Sequence, residues 1–145
     1  MSVTVVDRQR AVKGAKVLCR RAAELVLEGR DAVVALVDDR TIAELHERFL
    51  GEPGPTDVLS FPHGEIVVSG DTALREARAR GIPPVHELAL YVVHGALHLA
   101  GYDDRTPRGR GRMRAAERRV LAALGLGDVF GAPARARRRP RPRRK

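Results

Sequence analysis

The spacing of hydrophobic and polar residues along the chain predicts four short strands and five helices. Short β-branched, apolar runs between turn-forming residues are typical of strands, whereas apolar residues three and four positions apart indicate one face of a helix. On these criteria, strands are predicted at residues 3–6, 32–37, 58–61 and 65–69. Helices are predicted at residues 11–27, 71–80, 85–100 and 113–124, and a further helix, the second in the chain, is predicted from Ile42, Leu45 and Phe49 on one face.

Capping and turn-forming residues predict where these elements begin and end. Gly29 and Gly81 are expected to end the first and third helices, and Thr41 and Asp71 to cap the second and third. Loops are predicted at residues 51–57, which are rich in glycine and proline, and at the arginine- and glycine-rich residues 105–112.

The order of these elements predicts the fold class. Strands and helices interleave in the first half of the chain and helices follow in the second half, which favours a small α/β or α+β layer structure. The run at residues 32–37 is apolar on both faces, as expected for a central strand. At 145 residues, the chain has the length of one domain with one hydrophobic core.

The basic charge of the chain is concentrated at its end. The formal net charge is +9, but residues 132–145 hold eight basic residues and no acidic one, leaving 19 basic and 18 acidic residues elsewhere. We predict a folded domain at residues 1–131 and a disordered, proline- and arginine-rich tail at residues 132–145. Such a tail would bind phosphate backbones without sequence preference; a merely solubilising extension is the alternative interpretation.

Cysteine content and hydropathy indicate the environment of the protein. Cys19 is the one cysteine, so an intramolecular disulfide and a four-cysteine zinc cluster are both excluded. No window approaches the ~20 apolar residues of a membrane span, and the N-terminus does not resemble a signal peptide. We therefore expect a soluble, unprocessed, cytoplasmic protein without a membrane partner.

Two histidines on the most apolar helix predict a metal site. His94 and His98 are four residues apart, which places both imidazoles on one helix face. Gly101 can end the helix in the left-handed conformation and return Asp104 towards them. The spacing H-x-x-x-H-x-x-G-x-x-D matches that of metzincin-type zinc proteases, with aspartate in place of the third histidine. One zinc ion per chain on His94, His98 and Asp104 is the prediction.

The residue after the first histidine argues against a peptidase. In H-E-x-x-H peptidases a glutamate there acts as general base, whereas this chain has Gly95. We expect Gly95 to let a substrate or another backbone approach the helix closely. His46, His63 and His86 are expected to be solvated.

Two sequence blocks resemble the YbeY endoribonuclease family. Residues 87–104, E-L-A-L-Y-V-V-H-G-A-L-H-L-A-G-Y-D-D, are similar to its signature H-G-x-L-H-L-x-G-Y-D-H. Residues 55–62, P-T-D-V-L-S-F-P, resemble its second hallmark, and residues 64–69 resemble the strand after it. Met113 and Glu117 fall where the family has an M-x-x-x-E pattern. The likeness covers roughly residues 3–126.

The resemblance implies both a fold and an activity. It implies an α+β, metalloprotease-like (zincin-like) single domain in which about five helices cover a four-stranded mixed sheet. It also implies a single-strand-specific, metal-dependent endoribonuclease that matures ribosomal RNA, particularly the 3′ end of 16S rRNA. The expected partners are ribosomal RNA and the small ribosomal subunit, in ribosome quality control.

Two positions depart from the family pattern. Asp104 stands where the family has its third histidine; it remains a legitimate ligand, but its negative charge favours harder ions and weakens Lewis acidity. Leu50 stands where the family commonly has an arginine. Arg48, two residues earlier, would replace this arginine only if its side chain reached the same place. On a helix, however, side chains two residues apart point in directions that differ by about 200°.

The expected mechanism is metal-assisted phosphodiester hydrolysis. Zinc would activate a water molecule without a side-chain base, so we assign no catalytic side chain. Arg105, Arg108 and Arg110 are expected to hold flanking phosphates, or else to form a solvated basic surface. The alternative functions are an RNA-binding assembly factor with a structural zinc, and a zinc peptidase.

Overall fold

The computed structural model describes residues 2–127, and the predicted tail at residues 132–145 lies outside the described residues. Within residues 2–127, four strands and five helices follow one another as predicted. The strands are β1 (Val3–Asp7), β2 (Ala32–Val37), β3 (Val58–Phe61) and β4 (Glu65–Ser69). The helices are α1 (Lys16–Leu27), α2 (Asp39–Leu50), α3 (Gly70–Arg80), α4 (Pro84–Leu99) and α5 (Pro107–Ala123).

The strands form one mixed sheet in the order β1-β2-β4-β3. β1, β2 and β4 are parallel to one another, and β3 runs antiparallel to β4 at the edge of the sheet. The predicted α+β class, with a four-stranded mixed sheet and five helices, is confirmed. β2 is central as predicted, but the exposed Val33 shows that helices cover its second face only in part.

Helix α4 lies at the centre of the molecule. It packs against β3 and β4 and also contacts α1, α3 and α5. Since neighbours surround it, most of its residues are buried, as its apolar sequence predicts. α2 packs on the opposite face of the sheet, where Ile42 joins Val37, Leu59 and Val67 in a second apolar cluster.

The predicted start of α1 at Ala11 is wrong. The side chain of Gln9 donates to the carbonyl of Val12 and accepts from its backbone N–H, and Gly14 adopts a positive φ of 71°. These contacts stabilise a loop, and the helix begins at Lys16. Its end lies close to the predicted position, since Glu28 and Gly29 are both left-handed.

Two predicted helix caps are also wrong. Asp38, which directly follows β2, accepts the backbone N–H of Thr41 at 2.9 Å, so Asp38 is the cap of α2. Ser69 caps α3 by accepting from the N–H of Thr72. Asp71 instead accepts from the backbone N–H of Asp39, which links the starts of α2 and α3. α3 does end at Gly81, as predicted.

The predicted loop at residues 105–112 is largely helical. Thr106 accepts the backbone N–H of Gly109 at 2.9 Å, and Pro107 occupies the first helical position, so α5 begins six residues earlier than predicted. The sequence did not predict this start because glycine and arginine residues there are also typical of a loop.

Within residues 2–127, no helix combines the length and the apolar character that crossing a membrane requires.

Candidate metal centre and adjoining groove

The third and fourth turns of α4 place His94 and His98 side by side. Their ring centroids are 4.8 Å apart and their planes are inclined by 79°. Both side chains are 31% exposed although their helix is largely buried, so both rings border open space.

A glycine turn returns Asp104 towards these rings. Gly101 has a φ of 106°, and the N–H of Tyr102 donates to the carbonyl of Leu97, which is the hydrogen-bond pattern of a Schellman helix end. The loop then packs against the first turn of α5. A Cβ at Gly109 would lie within 2.1 Å of the carbonyl oxygen of Asp103, so this glycine permits the close approach.

The three predicted ligands lie together. Oδ2 of Asp104 is 3.6 Å from Nε2 of His94 and 3.5 Å from Nε2 of His98. One donor atom from each residue lies within 4.8 Å of the others. Two ligands of a tetrahedral zinc ion are about 3.3–3.5 Å apart, given bonds of about 2.0–2.2 Å. The donor set and its spacing therefore fit one metal ion.

Glu117 fixes the orientation of the first histidine. It lies on α5, where its side chain is only 6% exposed, and its Oε2 accepts the Nδ1–H of His94 at 2.5 Å. Since Glu117 holds the proton on Nδ1, Nε2, which lies 3.6 Å from Oδ2 of Asp104, is the nitrogen that a metal ion would bind in place of a proton. A carboxylate that orients a metal-binding histidine in this way is common in zinc sites.

Contacts within the cluster shift the pKa values of all three of its residues. Burial lowers the pKa of His94, but hydrogen bonds to Asp104 and Glu117 and the charge of Glu117 raise it to about 9. The hydrogen bond from His94 holds the pKa of Asp104 well below its usual range. Burial and the neighbouring charge of His94 lower the pKa of His98. Without metal, His94 is therefore protonated at neutral pH while Asp104 is ionised.

The cluster opens into a groove of about 1090 Å³. This groove is lined by residues of β3 and α4, of the second halves of α2 and α3, and of α5 as far as Glu117. Since Asp104 is 39% exposed, a substrate in the groove can reach the ion site from its open side.

The predicted substrate-binding arginines occupy different places. Arg110 lines the groove, and its Nη1 donates to the carbonyl of Asp104 at 3.4 Å. Arg114 also lines the groove. Arg105 pairs with Asp103 through contacts of 3.1 and 3.3 Å, and Arg108 lines a separate cavity of about 460 Å³. The structure thus brings Arg110, rather than Arg105 or Arg108, to the ion site.

Gly95 faces the sheet and is not part of the open groove. An added Cβ would lie 2.7 Å from Cγ2 of Ile66 and 3.0 Å from both Oγ of Ser60 and Cγ2 of Val58. The hydroxyl of Ser60 also donates to the carbonyl of Gly95. Gly95 was expected to allow the close approach of either a substrate or another part of the protein. The structure shows the second, because protein atoms fill the space beside Gly95 and leave no room for a substrate.

The remaining predicted residues lie outside the cluster. The guanidinium of Arg48 lies over the ring of Phe49, 5.9 Å from its centroid, and Leu50 lines the groove. His63 is exposed as expected. His46 is not: its side chain is 12% exposed, and its Nδ1 lies 2.9 Å from the carbonyl oxygen of Gly54.

Comparisons with known proteins agree with this architecture. The family model described as Endoribonuclease YbeY matches residues 3–125. The chain belongs to the YbeY endoribonuclease family. A YbeY protein of Azorhizobium caulinodans is 35% identical over 136 residues, and the match covers 86% of each chain. A YbeY protein of Rhodopirellula baltica is 42% identical over 103 residues, which are 64% of this chain and 53% of that relative.

A solved structure supports the fold. A protein of Thermotoga maritima, determined in solution, superposes with a TM-score of 0.60 at 28% identity; the match covers 85% of this chain and 91% of the other. The zincin-like fold predicted from the resemblance to YbeY is thus confirmed, and the metal dependence of the family fits the cluster of His94, His98 and Asp104.

Sequence reasoning did not assign a role to Glu117. The sequence did single out this residue, because Glu117 belongs to the M-x-x-x-E pattern shared with the YbeY family. The pattern alone did not show which residue the carboxylate contacts. Met113, the other residue of the pattern, is buried in the core and also borders the groove.

Proposed function

We propose that this chain is a zinc-dependent endoribonuclease that cleaves single-stranded ribosomal RNA. The observation that carries the proposal is the spacing of His94, His98 and Asp104, which suits a tetrahedral ion at the open side of a groove. Membership of the YbeY family supports RNA as the substrate. The resemblance to that family favours the 3′ end of 16S rRNA.

The protein's own groups prepare the site. Glu117 keeps the proton of His94 on Nδ1, leaving Nε2 free to bind metal. Asp104 supplies a negative charge between the two imidazoles. When bound, zinc would supply Lewis acidity towards a phosphodiester. Arg110 and Arg114 line the same groove and are suited to hold the phosphates on either side of the reacting one.

The residue that follows His94 distinguishes this site from that of an H-E-x-x-H peptidase. Gly95 occupies the position of the base in H-E-x-x-H enzymes, and it is packed against the sheet. Glu117 is committed to His94. We therefore assign no side chain as general base.

A cleavage assay tests this proposal. The purified chain is incubated with single-stranded ribosomal RNA, duplex RNA and casein, with and without a chelator and added zinc. We expect chelator-sensitive, zinc-restored cleavage of the single strand alone. Cleavage of casein would favour a peptidase, and RNA cleavage that resists the chelator would contradict the metal dependence.

Two histidine variants on the same helix provide the matched comparison. His98→Ala should abolish cleavage while preserving the circular dichroism spectrum and RNA binding. His86→Ala lies near the start of α4, away from the cluster, and should cleave like the unaltered chain. Full cleavage by His98→Ala would refute the proposal. Loss of its fold would favour a structural zinc.

We further propose that the enzyme acts in the cytoplasm on the small ribosomal subunit. The family to which the chain belongs supports this placement. Sedimentation of a tagged chain through a sucrose gradient provides the test. We expect it to migrate with small-subunit particles at low salt, and migration only with free protein would argue against the association.

A further inference from the structure

Phe49 and Leu50 are exposed at the edge of the groove that contains the metal-ligand cluster. Phe49 is 56% exposed and Leu50 60%, and both line this groove together with His94 and His98. Both lie in the last turn of α2, which Gly51 ends in the left-handed conformation. Two large apolar side chains therefore face water beside the proposed reaction site.

The ring of Phe49 belongs to a row of three rings. Phe61, the last residue of β3, meets it edge to face, with centroids 5.4 Å apart and planes inclined by 72°. His63 lies nearly parallel to Phe61, with centroids 6.0 Å apart and planes inclined by 26°. Nε2 of His63 lies 3.3 Å from Oε1 of Glu65, which restrains the outer ring. The row is thus supported by the β3–β4 hairpin.

A positively charged side chain lies next to this row of rings. The guanidinium of Arg48 lies over the ring of Phe49. A nucleobase stacked on this ring carries a phosphate on each side, and the flexible, exposed side chain of Arg48 can reach such a phosphate. The combination of exposed ring and adjacent cation is typical of sites that bind single-stranded nucleic acid.

We propose that Phe49, supported by Phe61 and His63, is a stacking site for an unpaired nucleobase of the RNA strand. This proposal rests on the endoribonuclease function proposed above and adds the residues that hold the strand. A base stacked there belongs to the strand whose phosphodiester lies at His94, His98 and Asp104, because one groove contains both sites. A duplex, whose bases are already stacked on one another, cannot use this site.

The position of the aromatic residues in the fold supports this assignment. The chain has only three phenylalanines and two tyrosines, which by number alone predicts little capacity for stacking. The fold nevertheless brings Phe49 and Phe61 together at the groove, although they are 12 residues apart in sequence. Phe49 is also more exposed than a core residue would be.

The test measures RNA binding by the full chain loaded with zinc. The probe is a single-stranded RNA dodecamer in which 2-aminopurine replaces one base at a time. Its fluorescence falls when the analogue stacks, and stopped-flow recording captures binding before cleavage. Loss of one stacked base corresponds to a change in Kd of about 5- to 150-fold.

We expect Phe49→Ala to raise the Kd within this range and to abolish the fluorescence change at one position of the probe. The KM for cleavage should rise with little change in kcat, as expected when a binding contact is lost. Phe49→Tyr keeps the ring and should bind within about twofold of the unaltered chain. Phe49→Leu keeps apolar volume without a ring and should bind as weakly as Phe49→Ala.

A matched control is available outside the groove. Val17 on α1 is 66% exposed, so Val17→Ala removes exposed apolar surface without touching the row. Unchanged binding by folded Phe49→Ala or Phe49→Leu, together with normal cleavage by the unaltered chain, would overturn the stacking site and leave the endoribonuclease function intact. Such a result would favour a protein partner for this surface. Failure of the unaltered chain to bind or cleave RNA would instead refute the function itself.

Discussion

Replacing Glu117 tests whether this residue positions His94 in the proposed metal site. The carboxylate of Glu117 accepts the Nδ1–H of His94 from a position that is only 6% exposed. Glu117→Gln keeps an accepting oxygen of similar reach and removes the charge. Glu117→Ala removes the acceptor and leaves the Nδ1–H of His94 facing a cavity. The two variants therefore separate the effect of charge from that of orientation.

The structure sets the expected size of each effect. Loss of such a partner typically weakens metal binding about 10- to 100-fold, equivalent to about 1.4–2.7 kcal/mol. We expect Glu117→Gln near the lower end of this range, because its oxygen can still hold the proton on Nδ1. We expect Glu117→Ala near the upper end, because the imidazole can then rotate or adopt the other tautomer.

The pH of the measurement matters because Glu117 also helps to raise the pKa of His94 to about 9. Removing Glu117 lowers this pKa, which reduces competition by protons at neutral pH and partly hides the loss of metal affinity. Zinc affinity should therefore be measured by chelator competition at pH 9.5 as well as at pH 7. The difference between variant and unaltered chain should be larger at the higher pH.

A matched control and a fold check complete this experiment. Glu44→Gln removes an exposed carboxylate on α2 and should leave zinc affinity unchanged. Circular dichroism should show that all variants remain folded. If folded Glu117→Ala bound zinc within about twofold of the unaltered chain at pH 9.5, Glu117 would have no positioning role.

Three further predictions follow from the same geometry. Asp104→His replaces a hard oxygen ligand by a nitrogen ligand, which manganese binds less well than zinc does. The ratio of zinc to manganese affinity, measured by chelator competition, should therefore rise at least about tenfold. An unchanged ratio would show that residue 104 does not bind the ion. In the unaltered chain, zinc affinity should rise by about tenfold per pH unit between pH 7 and 9 and level off above, because binding displaces the proton of His94, whose pKa is about 9. A flat profile would contradict this. Gly95→Ala should lower the free energy of unfolding in urea by about 1–3 kcal/mol, because its Cβ would meet Ile66 at 2.7 Å. The exposed helical Gly111 has nothing within 4 Å, so Gly111→Ala should raise stability by about 0.5–1 kcal/mol, and equal effects of the two changes would refute the packing argument.

The elements that could be read from the sequence are those governed by local periodicity. The bounds of β2, β3 and β4 agree with the apolar runs that predicted them. The proximity of His94, His98 and Asp104 was predictable for the same reason, because they lie within one helical turn and the glycine bend after it. Short-range geometry brings these residues together wherever the helix packs.

Helix starts were harder to predict because several polar residues near each start can accept the same backbone N–H. Thr41 and Asp71 have suitable side chains. However, Asp38 directly follows β2 and Ser69 is the last residue of β4, and both have the extended backbone of a helix cap. The side chain of Asp71 instead accepts the backbone N–H of Asp39, at the start of α2. Position relative to the sheet, rather than residue type, decided between the alternatives.

The sequence by itself therefore determined the order of the elements, the apolar central helix, and the proximity of His94, His98 and Asp104 near the end of that helix. Only the tertiary structure showed that Glu117, 19 residues beyond His98, contacts His94. It likewise showed that Gly95 packs against the sheet and that Phe49 contacts Phe61 at the groove. These contacts join residues on different elements. They depend on how α4 packs between the sheet and its neighbouring helices, and no local pattern specifies that packing.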